Sequence, residues 1–452
     1  MSKFFRRQFW YFSAFFSRYY LIILLSVLGA IVTILALRPV IVKIVSKKPT
    51  YRLGVVGTFT PQLLPTIAKN ILNSSLFTIA ANGEAVPNLA QELSISADGK
   101  VYQVKIKPGL MWSDGTPFNA QDVVLNIANV KVEAIDGLTL QFTLPEKFAP
   151  FPTLLNNPLI NKQGLTISNY QIKLTQSSNG QLTQILMTNP QHQINIKTYA
   201  TSAIAITAYK LGEIDYLFNI DSPQPELDQY GQLAQVDNNH EAVALFFNHD
   251  DPILKDKFFR QALAYGLSDK TFGYSRALGP IAQTSWGYTP LVKSYDFDQP
   301  KAKKIVKDAA GPNPLPTLEL AVNPQLLKYA ENIKTQLEGL GLTINLKVAT
   351  NKPEAFQMYL TYFEIPADPD QYVFWHSTQL NTNISHVKEE RLDKTLEDAR
   401  RLEVQADRKQ SYFDFQRVFT EELPALFLFY PKYNFLSRHQ DLFQIIPQSQ
   451  VF

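Results

Sequence analysis

The chain has 452 residues, enough for two or three hydrophobic cores, and with 12% aromatic and only 18% charged residues its composition is that of a folded protein. Its formal net charge of +3, with no basic stripe interleaved with aromatics, argues against nucleic acid as a partner. It contains no cysteine, which removes disulfides, thiolate catalysis and cysteine-held metal from consideration. His192, His240, His249, His376, His386 and His439 show no metal-ligand spacing, and there is no glycine-rich nucleotide loop or nucleophile elbow. Neither a metal, nor a cofactor, nor an enzyme activity is therefore expected.

The first hydrophobic feature is Tyr19 to Leu37, interrupted only by Ser26, Gly29 and Thr33, close to the length that crosses a bilayer. Lys3, Arg6, Arg7 and Arg18 precede it with no acidic residue, which favours a cytoplasmic N-terminus, although Arg38, Lys43, Lys47 and Lys48 follow. The preceding aromatics, from Phe9 to Tyr20, suit a headgroup interface. Leu35-Ala36-Leu37-Arg38-Pro39 is a poor cleavage site, so the segment reads as an uncleaved anchor with the remainder outside the cytoplasmic membrane.

Tyr51 to Gly57 then reads as a strand. Leu93 and Ile95, the Asp98-Gly99 turn, and Tyr102, Val104 and Ile106 form a half-buried hairpin; Asp136-Gly137 makes a second, with Leu138, Leu140, Phe142 and Leu144 on one face. Between them, Gly109 to Ile127 predicts a turn at Asp114-Gly115 followed by a helix capped by Asn119, with Asp122 in its first turn and Phe118 stapled onto Val123. Ile194 and Ile196 mark a strand, and Ala200 to Leu211 a helix that ends at Gly212 in a left-handed cap. Val243 to Asn248 is an apolar strand. The following helix places Phe258, Phe259, Ala262, Leu263 and Gly266 at core spacing. Lys301 to Asp308, Leu326 to Leu340, Asn383 to Arg401 and Asp407 to Leu423 read as helices, and Leu318 to Val322, Leu342 to Val348 and Leu426 to Tyr430 as strands. Strands alternating with helices indicate an α/β fold.

Trp112-Ser-Asp-Gly-Thr-Pro-Phe-Asn-Ala-Gln-Asp-Val-Val closely resembles the signature of the extracytoplasmic substrate-binding proteins of peptide, dipeptide and nickel ABC transporters, solute-binding protein family 5. Pro87-Asn-Leu-Ala, Gly212-Glu-Ile-Asp and Asn248 followed by Arg260-Gln-Ala-Leu resemble further family segments, so the resemblance covers most of Tyr51 to Arg438. Two segments depart from it: the chain is shorter after Asn129, and Gly164 to Tyr170 replaces the family's Gly-Thr-Gly-Pro-Tyr. The lipid-bearing cysteine of many bacterial binding proteins is also absent.

The resemblance implies a bilobed periplasmic-binding-protein-like α/β fold of type II, in its three-domain peptide-binding variant, preceded by one transmembrane helix. The expected organisation is an N-terminal segment at 1–18, anchor at 19–37, linker at 38–50, lobe I at 51–75, a small β-rich subdomain at 76–158, lobe I again at 159–247, lobe II at 248–425 and a closing segment of lobe I at 426–452. It further implies a monomer that carries a peptide or small solute to permease subunits of an ABC transporter. A membrane-tethered sensor or scaffold that keeps the fold without transport is the alternative.

The same resemblance supplies the site candidates. In peptide-binding members a carboxylate just before an Asp-Pro-Asp run captures the ligand's α-ammonium. Here that position is Ile365, so Glu364, one residue earlier, is the shifted candidate and Asp368 the fallback, while Asp370 reads as a helix cap. Tyr359 to Phe363, including Tyr362 and Phe363, could pair with a peptide backbone as an added strand. Trp286, in a Gly/Pro-bounded loop, either stacks on ligand or pins the loop to the core. Thr58 and Phe59 are ligand contacts or ordinary loop packing, and Asn248 is the hinge candidate.

Overall fold

The computed structural model describes residues 3–45, 48–60, 64–220, 225–349 and 352–439. The chain divides into two units, Met1–Thr50 with Pro190–Gln193, and Tyr51–Asn189 with Ile194–Phe452. The first is dominated by one helix, Lys3–Val45. At 1.5 Å per residue it is about 65 Å long. Among the described residues, the stretch long and apolar enough to cross a membrane is Ser13–Thr33, which begins six residues before the expected Tyr19.

In the second unit, the run Ala242 to Phe247 is buried on both faces, the pattern of a strand inside an α/β sandwich. Val243, Leu245 and Phe247 enter one core with Phe259, Ala262 and Leu263 of helix Lys257–Gly266, Val306 of Gln299–Ala310 and Ile333 of Leu327–Glu338. Ala242, Ala244 and Phe246 enter a second core with Trp375, Leu392 and Leu396 of Glu390–Arg401, and Phe415 and Phe419 of Gln405–Glu422. The sheet between these layers has the order Ser275–Arg276, Ala425–Tyr430, Glu241–Phe247, Met358–Glu364, Thr317–Val322, Thr343–Val348. This is lobe II.

Lobe I is a seven-stranded sheet in the order Gln171–Ser178, Gln181–Thr188, Gln193–Tyr199, Thr50–Val56, Tyr216–Ile220, Lys432–Ser437, Gln232–Asp237. Helix Thr66–Leu72 packs Ile67, Ala68 and Ile71 against one core, and helix Ser202–Lys210 packs Ala205, Ile206 and Tyr209 into another. Gly212 follows that helix at φ +76, the left-handed conformation its position predicts. The small subdomain holds the two expected hairpins in one sheet, ordered Ala90–Ile95, Val101–Ile106, Thr139–Thr143, Lys131–Ala134.

Sheet membership moves the lobe boundaries. Glu241–Phe247 and Ala425–Tyr430, expected to end and to resume around lobe I, are neighbours in the six-stranded sheet of lobe II. The chain therefore crosses between lobes at 238–240 and at Pro431, where the Asn238 N–H donates to the Pro431 carbonyl at 3.3 Å. Asn248 lies at the opposite end of its strand, its Nδ2 donating to the Phe356 carbonyl at 2.8 Å, and so is not at a crossing. Part of the closing segment, 440–452, lies outside the described residues.

Other local expectations change for identifiable reasons. The helix expected after Asn119 is a single 3-10 turn, Ala120–Asp122. Asn119 does cap it, Oδ1 accepting from Gln121 N at 3.0 Å, but Val123–Val124 then pairs as a strand with Ile160–Asn161 and takes the chain out of helical geometry. Phe258 is 60% exposed, because it sits one residue, about 100° of helix, from the buried Phe259. The helix expected from Asn383 begins at Glu390; Asn383 instead donates from Nδ2 to the Val387 carbonyl at 2.9 Å and holds a loop.

Candidate functional site

The strand Met358–Glu364 lies inside the lobe II sheet, and its C-terminal end meets the crossings between lobes. It pairs along its whole length with Glu241–Phe247, from Met358 opposite Phe247 to Glu364 opposite Glu241. On its other side Tyr359 and Leu360 face Ala321 and Val322, and the Asn323 N–H donates to the Leu360 carbonyl at 3.0 Å. An added peptide strand along Tyr359 and Leu360 is therefore blocked by the protein's own sheet. Phe363 is buried among Phe246, Phe374, Trp375 and Phe427, and Tyr362 is half-buried against the other core.

Glu364 is the first exposed side chain on leaving the sheet, and among the described residues it makes no ion pair. The next residue turns back inside: Ile365 is buried and its N–H donates to the His240 carbonyl at 2.8 Å. The strand is buried on both faces along most of its length, so Glu364 is exposed because it stands at the strand's end, while the apolar Ile365 completes the core. Glu241, directly across, lies 3.5 Å from the Asn238 Nδ2 donor, which turns its charge towards the crossing.

The two aspartates beyond have partners of their own. Asp368 is buried, with Oδ1 accepting from Arg408 Nη2 at 2.7 Å and from the Asp370 N–H at 3.0 Å. Arg408 also donates to the Tyr412 hydroxyl at 3.0 Å. Burial works against the Arg408 charge, yet Tyr412 and Asp368 hold the guanidinium above its ordinary value; burial drives the Tyr412 phenol well up. Asp370 Oδ2 accepts from Arg400 Nε at 2.9 Å, and Oδ1 from the Tyr372 N–H at 3.2 Å at the start of a one-turn helix. A carboxylate neutralised in this way has little left for a ligand's ammonium.

Trp286 joins the same cluster. Its ring meets Tyr412 edge-on at 5.6 Å, Arg408 lies 5.1 Å from its centre, and its N–H main-chain group donates to the Asn82 carbonyl at 2.9 Å. The pinned-loop reading describes these contacts. Thr58 is exposed at the end of the first lobe I strand, and Phe59 packs on the lobe I core with its carbonyl accepting from Leu182 at 2.8 Å. The structure thus brings Asp368 and Trp286 together through Arg408, leaves Glu364 at the crossing, and puts Thr58, Phe59 and Asn248 elsewhere.

Arg400, Arg408 and Tyr412 carry no local signal in the sequence; only the folding of two distant helices onto the Asp-Pro-Asp loop reveals them. A separate surface depression of about 540 Å³, lined by Leu291, Lys293, Arg391, Arg417 and Glu421 among others, contains none of the expected site residues.

Comparison with known proteins agrees with this architecture. The family profile described as bacterial extracellular solute-binding proteins, family 5 Middle, matches residues 84–130 and 189–384. The chain is 24% identical over 415 residues, covering 77% of this chain and 79% of the relative, to the probable D,D-dipeptide-binding periplasmic protein DdpA of Escherichia coli (strain K12). Among solved structures it is similar to the ABC transporter substrate binding protein CtaP of Listeria monocytogenes, with a TM-score of 0.72 and 21% identity, covering 86% of this chain and 94% of the other. It is also similar to the oligopeptide-binding protein AppA of Bacillus subtilis in complex with a nonapeptide, with a TM-score of 0.64 and 19% identity, covering 86% and 95%.

Proposed function

The chain belongs to the bacterial extracellular solute-binding proteins of family 5, and from that membership we propose that it captures a peptide or related small solute between its two lobes and passes it to the permease of an ABC transporter. The observation that carries this reading is the pair of lobes between which the described chain crosses at 238–240 and at Pro431, with the exposed carboxylate of Glu364 beside the first crossing. Glu364 receives the ligand's α-ammonium, a charge-assisted bond that strengthens as the lobes close and water leaves. Asn238 and Pro431, at the crossings, take up the rotation. Peptide ligands are favoured by the names of the relatives, which include a dipeptide-binding protein and one solved with a nonapeptide.

Helix Lys3–Val45 holds the protein in the cytoplasmic membrane, uncleaved, with the two lobes on the extracytoplasmic side. The working form is a monomer that meets the permease from that surface.

The test is isothermal calorimetry with paired tripeptides, one set with a free amino terminus and one N-acetylated. Glu364→Gln should weaken the free-amine peptides by about tenfold or more, the value of a hydrogen bond to a charged group, and leave the acetylated set nearly unchanged. Equal losses for both sets would remove Glu364 from this role. A second reading, a membrane-tethered sensor or scaffold, is favoured by the internal engagement of Asp368 and Trp286. A full-length chain that binds no peptide at all would support it.

A further inference from the structure

We propose that the small subdomain is a clasp that holds lobe II against lobe I in the unliganded chain, with Arg400 as its positioning residue. The proposal rests on the two-lobed organisation and is independent of which ligand is carried.

The small subdomain leaves and re-enters the chain next to lobe I. Its Ser113 carbonyl accepts from Gln171 Nε2, at the start of the first strand in the lobe I sheet order. It also reaches lobe II at two separate places. At the first, the tight turn around Gly83, the Trp286 N–H donates to the Asn82 carbonyl at 2.9 Å and Gln405 Nε2 donates to the Glu84 carboxylate. Gly83 stands at φ +85, and a Cβ there would overlap the Ala367 carbonyl oxygen, so the fit of this turn on lobe II needs glycine. At the second, the Ala149 N–H donates to the Arg400 carbonyl at 2.9 Å, and Lys147 pairs with Glu403 at 2.6 Å. The Arg400 guanidinium lies 4.9 Å from the centre of the Phe148 ring.

Both contact places converge on one loop of lobe II. Arg400 is paired with Asp370 and lies 4.1 Å from the centre of the Tyr372 ring, while Arg408, paired with Asp368, lies beneath Trp286. The Asp-Pro-Asp loop that follows Glu364 is thereby tied to the small subdomain through Arg400 and, just before it, by the close approach of Gly83 to Ala367. Opening the lobes must break these contacts together, because Trp286, Ala367, Arg400, Glu403 and Gln405, which carry them, all belong to lobe II. The Lys147–Glu403 pair among them is polar and partly exposed, its side chains at 31% and 44%, as at an interface that opens and closes. Ligand entry then competes with the clasp, and closure on ligand re-forms it.

The absence of cysteine makes the test direct. Spin labels at Lys173→Cys in lobe I and Lys303→Cys in lobe II, both exposed, report the lobe separation of the full chain in lipid nanodiscs by pulsed dipolar spectroscopy, without ligand. The parent should show one short-distance population. Arg400→Gln, and independently the surface pair Lys147→Ala with Glu403→Ala, should add a longer-distance population several-fold above the parent, with Arg400→Lys intermediate. The surface pair leaves Asp370 with its arginine, so it decides the matter if Arg400→Gln does not fold. Identical distance distributions in the parent and the surface pair would overturn the clasp. Because no ligand is present, that result leaves peptide capture standing, and a failure to bind peptide leaves the clasp standing.

Discussion

The Asp368–Arg408 pair separates a structural carboxylate from a ligand-binding one. Both side chains are more than nine-tenths buried and 2.7 Å apart. Asp368→Asn leaves Arg408 charged and buried with Tyr412 as its remaining side-chain partner, and removing one member of such a pair costs about 3–5 kcal/mol. Arg408→Met leaves Asp368 with only the Asp370 N–H and should cost a similar amount. The double variant Asp368→Asn with Arg408→Met, which strands no charge, should recover most of the loss, within about 2 kcal/mol of the parent. Urea unfolding followed by tryptophan fluorescence is well suited, since Trp286 packs on Tyr412 beside the pair and Trp375 sits in the same core. An Asp368→Asn cost below about 1 kcal/mol together with a lowered peptide affinity would contradict this, for it would make Asp368 the ligand's carboxylate after all.

Three further outcomes are expected. Burial, with Arg276 nearby, brings Lys270 down from 10.5 to about 8, so between these values the unfolded chain holds the extra proton and stability rises with pH; below about 8 the full cost is present. Lys270→Met should accordingly stabilise the protein at pH 7 and flatten the alkaline limb of a urea-midpoint profile; a parent profile already flat there would contradict this. Gly54→Ala would drive a Cβ into Ile214 and press on Tyr199 and Leu217 in the lobe I sheet, costing about 1–3 kcal/mol by thermal unfolding, and an unchanged melting temperature would show that the site can give. The full chain should remain in the membrane fraction with its N-terminal residues intact by mass spectrometry, whereas a soluble form beginning beyond Leu37 would show cleavage.

Much of the fold is legible because its signals are local. Asp98-Gly99 and Asp136-Gly137 each join strands whose alternation fixes their register, and Gly212 marks its helix end by the one conformation that favours it. The lobe boundaries are not legible in the same way. Ala242 to Phe247 and Ala425 to Tyr430 are apolar on both faces, and such a strand fits the middle of either sheet equally well. Asn119 reads correctly as a cap, but what it caps depends on Val123–Val124 finding a partner some 37 residues away in Ile160–Asn161. The candidate site divides along the same line. The exposure of Glu364 follows from its place at the end of a strand otherwise buried on both faces, while the fate of Asp368 and Asp370 is set by arginines 40 and 30 residues further on, whose spacing carries no period.

The central claim, capture of a peptide or small solute between two lobes, is tested most directly by native mass spectrometry of the full-length chain purified from its membrane, with calorimetric titration of a defined peptide pool as the confirming arm. The account predicts one bound peptide or small solute per chain, displaced by the pool with measurable heat. A chain that carries nothing and takes up nothing from the pool would contradict it.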